Sequence, residues 1–418
     1  MIPGFKLTEV GELLRPSLRI QEEDHNRAER HMQEMLVARK ARHQQLYGIT
    51  YPNTNVPLKK SRPFRIFDLS LHQSVTHDIL YTLRHLYGDI FEYINWNISL
   101  HNFFDAPSVD VEYVNEETWG DLSHESIKQF QGTYDTLLQT VDIFIVGHAP
   151  ILSLLFEKYE KPILILNTCR YNQPFCWFPN PDFQSYFHRA LTRMSLKRQA
   201  IIVSNNCADH AYLKDCTGLG SIYIPSLCLY QEPHKPVSKT WLLYSKELEE
   251  HLIPLATGTT VRLLPRPPHF DPSDIAACAG VIHLPYDISS ISLSEQYMSG
   301  LPIFVPSISF LKKCIHSKVI NFIAQYDKWN ETLTDGDLDM WLIHADYYLL
   351  PNIITYDSFE DCIKKVVEFQ DADRERRLQD IRDIQADAFK RWAELLDPYL
   401  RVPIVSAPDV QSEQASHA

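Results

Sequence analysis

Two doubly wound α/β domains facing a cleft are the fold class this sequence predicts, on three observations. The chain has 418 residues, and single cores stop growing near ~250–300 residues, so two domains are the natural division. Short runs that are apolar throughout alternate with amphipathic stretches, the pattern of parallel strands covered by helices on both faces. That alternation stops once, at the polar, proline-bearing break Gln231-Glu-Pro-His-Lys-Pro-Val-Ser-Lys239, and then restarts.

The elements follow in order. Residues 1–60 stand apart as a helical or extended arm. Arg19 to Gln45 is rich in charge and helix formers with a sparse apolar stripe (Met32, Met35, Leu36), as in a solvated helix or a partner-binding arm. Within 61–230, strands are predicted at Phe64–Leu69, Ile90–Ile94, Ile143–Val146, Pro162–Leu166, Ala200–Val203 and Ser221–Ile224. Helices are predicted between them at Val75–Tyr87, Ile127–Gln139, Ile151–Tyr159, Phe183–Leu196 and Cys207–Cys216. Within 231–370 the strands are Trp241–Tyr244, Thr260–Leu264, Val281–Leu284 and Pro302–Val305, and the helices Glu247–Leu255, Ser273–Cys278 and Leu293–Ser299. A charged helix from about Asp371 to Leu396, within a C-terminal segment 371–400, closes the fold, and 401–418 is a polar tail expected to be disordered. Both halves read as Rossmann-like domains, whose ligands bind beyond the carboxyl ends of the strands.

Composition narrows the function. Apolar residues at 44% and charged residues at 22% are ordinary for a globular chain. With only 13 glycines there is no G-x-G-x-x-G and no G-x-x-x-x-G-K-[ST]; the one G-x-G is Gly218-Leu219-Gly220. A net charge of −13 argues against a sequence-blind grip on nucleic acid, while leaving room for a local anion site. No run approaches the ~18 apolar residues of a membrane span, and the first residues have no apolar signal core, so a cytoplasmic protein is expected. The eight cysteines form no C-x-x-C and no zinc-ligand spacing. They read as reduced thiols, with no metal or cofactor expected.

The chemistry concentrates between Gly280 and Pro306: strand, polar turn, short helix, glycine stop, strand. The turn Tyr286-Asp-Ile-Ser-Ser290 leaves the carboxyl end of a buried strand and feeds a helix start. Backbone N–H groups and the helix dipole there suit a diphosphate. The hydroxyls of Ser289, Ser290 and Ser292 add donors, and Glu295, one turn in, can accept from vicinal sugar hydroxyls. A second reading of the same residues is a capping box, Ser292-Leu-Ser-Glu295, with Glu295 bonded only to its own backbone.

Asp287, Glu295 and the following Met298-Ser-Gly-Leu-Pro302 resemble the donor-binding half of the GT-B glycosyltransferases, many of which carry two acids with seven residues between them. Asp replaces the commoner Glu at the first acid, and Ile288-Ser-Ser290 stands where Gly-Phe-Gly often sits. The resemblance implies that Glu295 holds the ribose of a nucleotide-sugar and Asp287 contacts the transferred sugar. It also implies an acceptor domain over 61–230, a donor domain over 231–370, and no bound divalent cation. Asp335-Gly-Asp337 has D-x-D spacing but reads as a solvated hydrophilic loop.

Other candidates follow strand ends. Ser245 and Lys246 follow the first strand of the second half, where a cation can meet phosphate; a surface lysine is the alternative. His72, after the first strand, is the preferred base for an acceptor hydroxyl. His77 and Asp78 stand behind it, Asp78 alternatively serving the helix dipole. His148, Arg170 and Asn205 end strands in turn, as cleft ligands or as loop braces and caps. The aromatic run Pro174–Pro181 offers an apolar acceptor wall or a buried loop. The function expected is metal-independent transfer of a sugar from a nucleotide-sugar to a glycan, protein or small-molecule acceptor. The alternatives are a sugar-nucleotide epimerase, a phosphorylase (for which no pyridoxal phosphate lysine stands out), or an inactive binding protein docked through its arm.

Overall fold

Runs of branched and aromatic residues build two parallel sheets, as the alternation predicts. The structure, a computed structural model, describes residues 63–99, 111–266, 272–323 and 333–400. The arm over 1–60 and the tail over 401–418 lie outside the described residues.

The first half runs β1 (Phe64–Ser70), α1 (Gln73–Tyr87), β2 (Phe91–Asn97), α2 (His124–Leu138), β3 (Ile143–Gly147), β4 (Ile163–Asn167) and α3 (Gln173–Trp177). It continues through α4 (Pro181–Leu196), β5 (Ala200–Ser204), α5 (Cys207–Thr217) and β6 (Ile222–Tyr223). The second half runs β7 (Thr240–Leu243), α6 (Lys246–Ala256), β8 (Arg262–Pro265), α7 (Pro272–Ala276), β9 (Gly280–Ile282) and α8 (Ile291–Ser299). Then come β10 (Ile303–Pro306), α9 (Ile308–His316), α10 (Asp335–Leu342), α11 (Asp346–Leu349), β11 (Ile354–Tyr356), α12 (Phe359–Glu368) and α13 (Arg374–Leu400). One sheet has the order β2-β1-β3-β4-β5-β6 and the other β11-β10-β9-β7-β8, every neighbour parallel. These are two Rossmann-like α/β domains. Every residue of β3 and β4 is buried, which is why those strands read as unbroken apolar runs.

Two expectations need correction. Ile151–Tyr159 is not an α-helix but two 3-10 segments, Pro150–Leu155 and Glu157–Tyr159; all six residues of the first are buried, so it has no polar face. Asp335-Gly-Asp337 is not a loop but the first turn of α10. Thr334 caps it and the Asp337 carboxylate bonds back to the Thr334 backbone, while the Asp335 carboxylate pairs with His316 and Lys312 of α9. The closing helix runs Arg374–Leu400 and returns to the first domain. There Phe389 stacks on His85 at 4.0 Å between ring centroids and Tyr87 donates to Asp397 at 2.9 Å.

Buried acids set a pH dependence. Asp68 lies inside β1 and accepts from the Tyr93 hydroxyl at 2.8 Å, yet burial pushes its pKa up from 3.8 to about 7. Burial does the same to Asp346 at the start of α11, again to about 7. Both acids bind a proton more tightly folded than unfolded. Their contribution to stability is therefore full below about pH 4 and lost as pH rises toward 7. Asp68→Asn should accordingly narrow the gap between melting temperatures at pH 5 and pH 8, raising the latter; an unchanged gap in calorimetry would count against this assignment.

Candidate functional site

In the first sheet the strand order reverses between β1 and β3, where a doubly wound sheet opens a crevice. His72 leaves β1 and His148 leaves β3, and their rings lie 5.3 Å apart. Both line a cavity of about 180 Å³ together with Gln73, Ser99, Glu116 and Trp119. Since a cavity of ~150 Å³ accommodates benzene, there is space here for one ring. Gly147 packs so tightly on Ser70 that a Cβ would collide with it. His148 itself adopts φ +71°, a strained setting for a non-glycine residue. Gln173 Nε2 donates to His148 Nε2 at 3.3 Å, which places the ring proton on Nδ1, facing Thr168 Oγ1 at 3.3 Å. Burial, then His72 and Arg170, pushes the His148 pKa down to about 3, so this ring stays neutral.

In the second sheet the order reverses between β7 and β9. Ser245 follows β7 as the N-cap of α6, but its side chain caps nothing, and its Oγ is buried with no hydrogen-bond partner. Lys246 is exposed. The cation over the Tyr244 ring, at 4.3 Å, is instead Arg266, just past the carboxyl end of β8. Sequence reading missed Arg266, although it follows a strand as the chosen candidates do.

The turn after β9 ends at Ser290, the N-cap of α8, and Ser292 is already the second helical residue. That overturns the capping box: the helix begins two residues too early for Ser292 to cap it. Glu295 instead accepts from the Tyr230 hydroxyl at 2.6 Å and is hydrogen-bonded by Ser74 at the start of α1. Burial raises its pKa. Ser290 and Ser292 bond Tyr347 and Tyr244, while Tyr286 is half exposed. Gly300 ends α8 at φ +88°, the stop the sequence predicts, and a side chain there would press Leu378.

Arg170 joins the halves. Fully buried after β4, it donates to Asp287 Oδ1 at 2.5 Å and to Ser289 Oγ at 3.2 Å, and lies 3.5 Å from Asp209 Oδ1 on α5. Ser289 donates in turn to Asp209 Oδ2 at 3.2 Å. Burial raises the pKa of both aspartates, and Arg170 opposes it. Asp209 was not among the sequence candidates, because only the tertiary fold sets it against the β9 turn.

Three further candidates are occupied elsewhere. His77 Nδ1 bonds the Gln73 carbonyl at 2.8 Å within its own helix. Asp78 is not in the first turn of α1; its Oδ1 accepts the backbone N–H of Leu227 and Cys228 at 3.0 and 2.7 Å and so anchors the connection between domains. Asn205 braces Ser226 at 2.9 Å, while Asn206 caps α5. The run 174–181 is partly helix α3, with Phe175 buried and Phe178 half exposed over Gly120.

No family model and no curated protein matches the chain. Among solved structures it is similar to the glycosyltransferase SnogD from Streptomyces nogalater, at 14% identity and a TM-score of 0.41, over 81% of this chain and 100% of that one. It is likewise similar to the glycotransferase of kitacinnamycin, at 13% identity and a TM-score of 0.44, with the same coverage. A third is Arabidopsis thaliana UGT89C1 complexed with UDP-L-rhamnose, at 10% identity and a TM-score of 0.40, again over 81% and 100%. Likeness of this size leaves function to be argued from the chain's own residues.

Proposed function

We propose that this chain transfers a sugar from a nucleotide-sugar donor to an acceptor hydroxyl. One observation carries the reading: the acidic turn into α8 lies against the first domain, where Arg170 donates to Asp287 and Ser289, and the same guanidinium acts electrostatically on His148. Residues 61–230 then form the acceptor domain and 231–370 the donor domain. The diphosphate sits at the start of α8, and Ser245 Oγ gains the hydrogen-bond partner it lacks. Glu295 takes the ribose and Asp287 the sugar. His72 accepts the acceptor's proton as its oxygen bonds the anomeric carbon, and the bond to the diphosphate oxygen breaks. The leaving charge falls on the helix N-terminus and on Arg266 and Arg170 rather than on a divalent ion. A cytoplasmic setting rests on the sequence alone; among the described residues no helix is long and apolar enough to cross a membrane.

The engagement of both acids by protein groups favours a second reading, a binding protein without turnover. Calorimetry with UDP, GDP and TDP sugars, followed by product analysis with and without an alcohol acceptor, separates the two. The proposal requires binding and acceptor-dependent release of the nucleotide; binding without release selects the second reading, and product formed without acceptor points to an epimerase.

A further inference from the structure

The geometry points to a self-occupied closed state, in which side chains from outside the donor turn fill the seats of the ligand and have to leave before it enters. This rests on the donor-site reading above. Two clasps make the state. In one, the hydroxyls of Tyr230 and Ser74 lie on Glu295, where the vicinal hydroxyls of a ribose are assigned. In the other, Arg170 holds Asp287, the acid assigned to the sugar. Neither clasp is accidental in placement. Asp78 pins the backbone at Leu227 and Cys228, and so presents Tyr230 from the connection between domains.

The second clasp is also poised to open. A single guanidinium serves two buried carboxylates, and Asp209 Oδ1, fully buried, accepts no hydrogen bond. Buried ion clusters recover little more than their desolvation cost, and one with an unsatisfied oxygen recovers less. An apolar seam would lose its whole burial on parting, whereas these charges regain water. An incoming diphosphate offers Arg170 a doubly charged partner in place of two single carboxylates, one of them with an unsatisfied oxygen, and its transfer leaves Asp287 free for sugar hydroxyls. Tyr230 is thus a positioning residue and Arg170 a phosphate ligand held back on Asp287, and together they set access to the site.

The test uses the full chain, with UDP, GDP and TDP as probes. Tyr230→Phe keeps the buried ring and removes one charge-assisted hydrogen bond, so the best-bound of the three nucleotides should bind about tenfold more tightly. In Arg170→Met without nucleotide, amides over 286–292 should exchange with deuterium about tenfold faster, with β3 and β4 as the internal reference. Unchanged or weaker nucleotide binding in Tyr230→Phe overturns the proposal, as does unchanged exchange in Arg170→Met. Should no nucleotide bind any form while exchange accelerates, the clasp stands and the nucleotide-sugar reading falls. Nucleotide binding that depends on Glu295 but ignores Tyr230 gives the reverse.

Discussion

Replacing His72 with alanine should lower turnover about 10²–10⁴-fold, the usual worth of a positioned general base, while donor affinity stays near that of the parent. The split follows from placement. His72 stands at the switch point of the first sheet and lines the cavity, and the turn into α8 proposed to hold the donor belongs to the second sheet. Its neighbour His148 is held neutral by burial and already bonds Gln173 and Thr168, so it is a poor substitute base. Steady-state kinetics on His72→Ala, with calorimetry for the donor, checks both halves. A fall in donor affinity with little loss of turnover would remove His72 from the reaction.

The second large effect is on binding. Glu295→Ala should weaken nucleotide binding by about 10²-fold, corresponding to about 2–3 kcal/mol for removing a charge-assisted hydrogen bond from a buried site. Tyr230→Phe is the matched control. It removes the same native hydrogen bond without removing the carboxylate, so a fold defect arising from that bond would show in both variants. Equal behaviour of the two would mean that Glu295 serves only to hold Tyr230.

Much of the fold was legible because a buried parallel strand carries its signal locally, in four to seven apolar residues. After Val305 the signal fades. The strand β11 has three residues, and α9 to α12 are short helices. The start of α10 at Asp335-Gly-Asp337 shows a polar loop and a helix cap to be nearly the same composition. The candidate site was half legible for a similar reason. Strand carboxyl ends are local features, and they pointed to His72, His148, Arg170 and Asp287. Which of these meet is a tertiary matter: Arg170 and Asp287 are 117 positions apart, and Tyr230 and Glu295 are 65 apart. No local pattern marks Asp209 or Tyr230 as partners of the turn into α8 and its helix.

The most direct measurement is a crystal structure of the chain with the nucleotide it binds best. The account predicts a ribose hydroxyl within hydrogen-bond distance of Glu295, phosphate oxygens on the backbone N–H groups that open α8, and Arg170 moved off Asp287. A nucleotide lodged elsewhere, with the Tyr230–Glu295 and Arg170–Asp287 pairs intact, would contradict it.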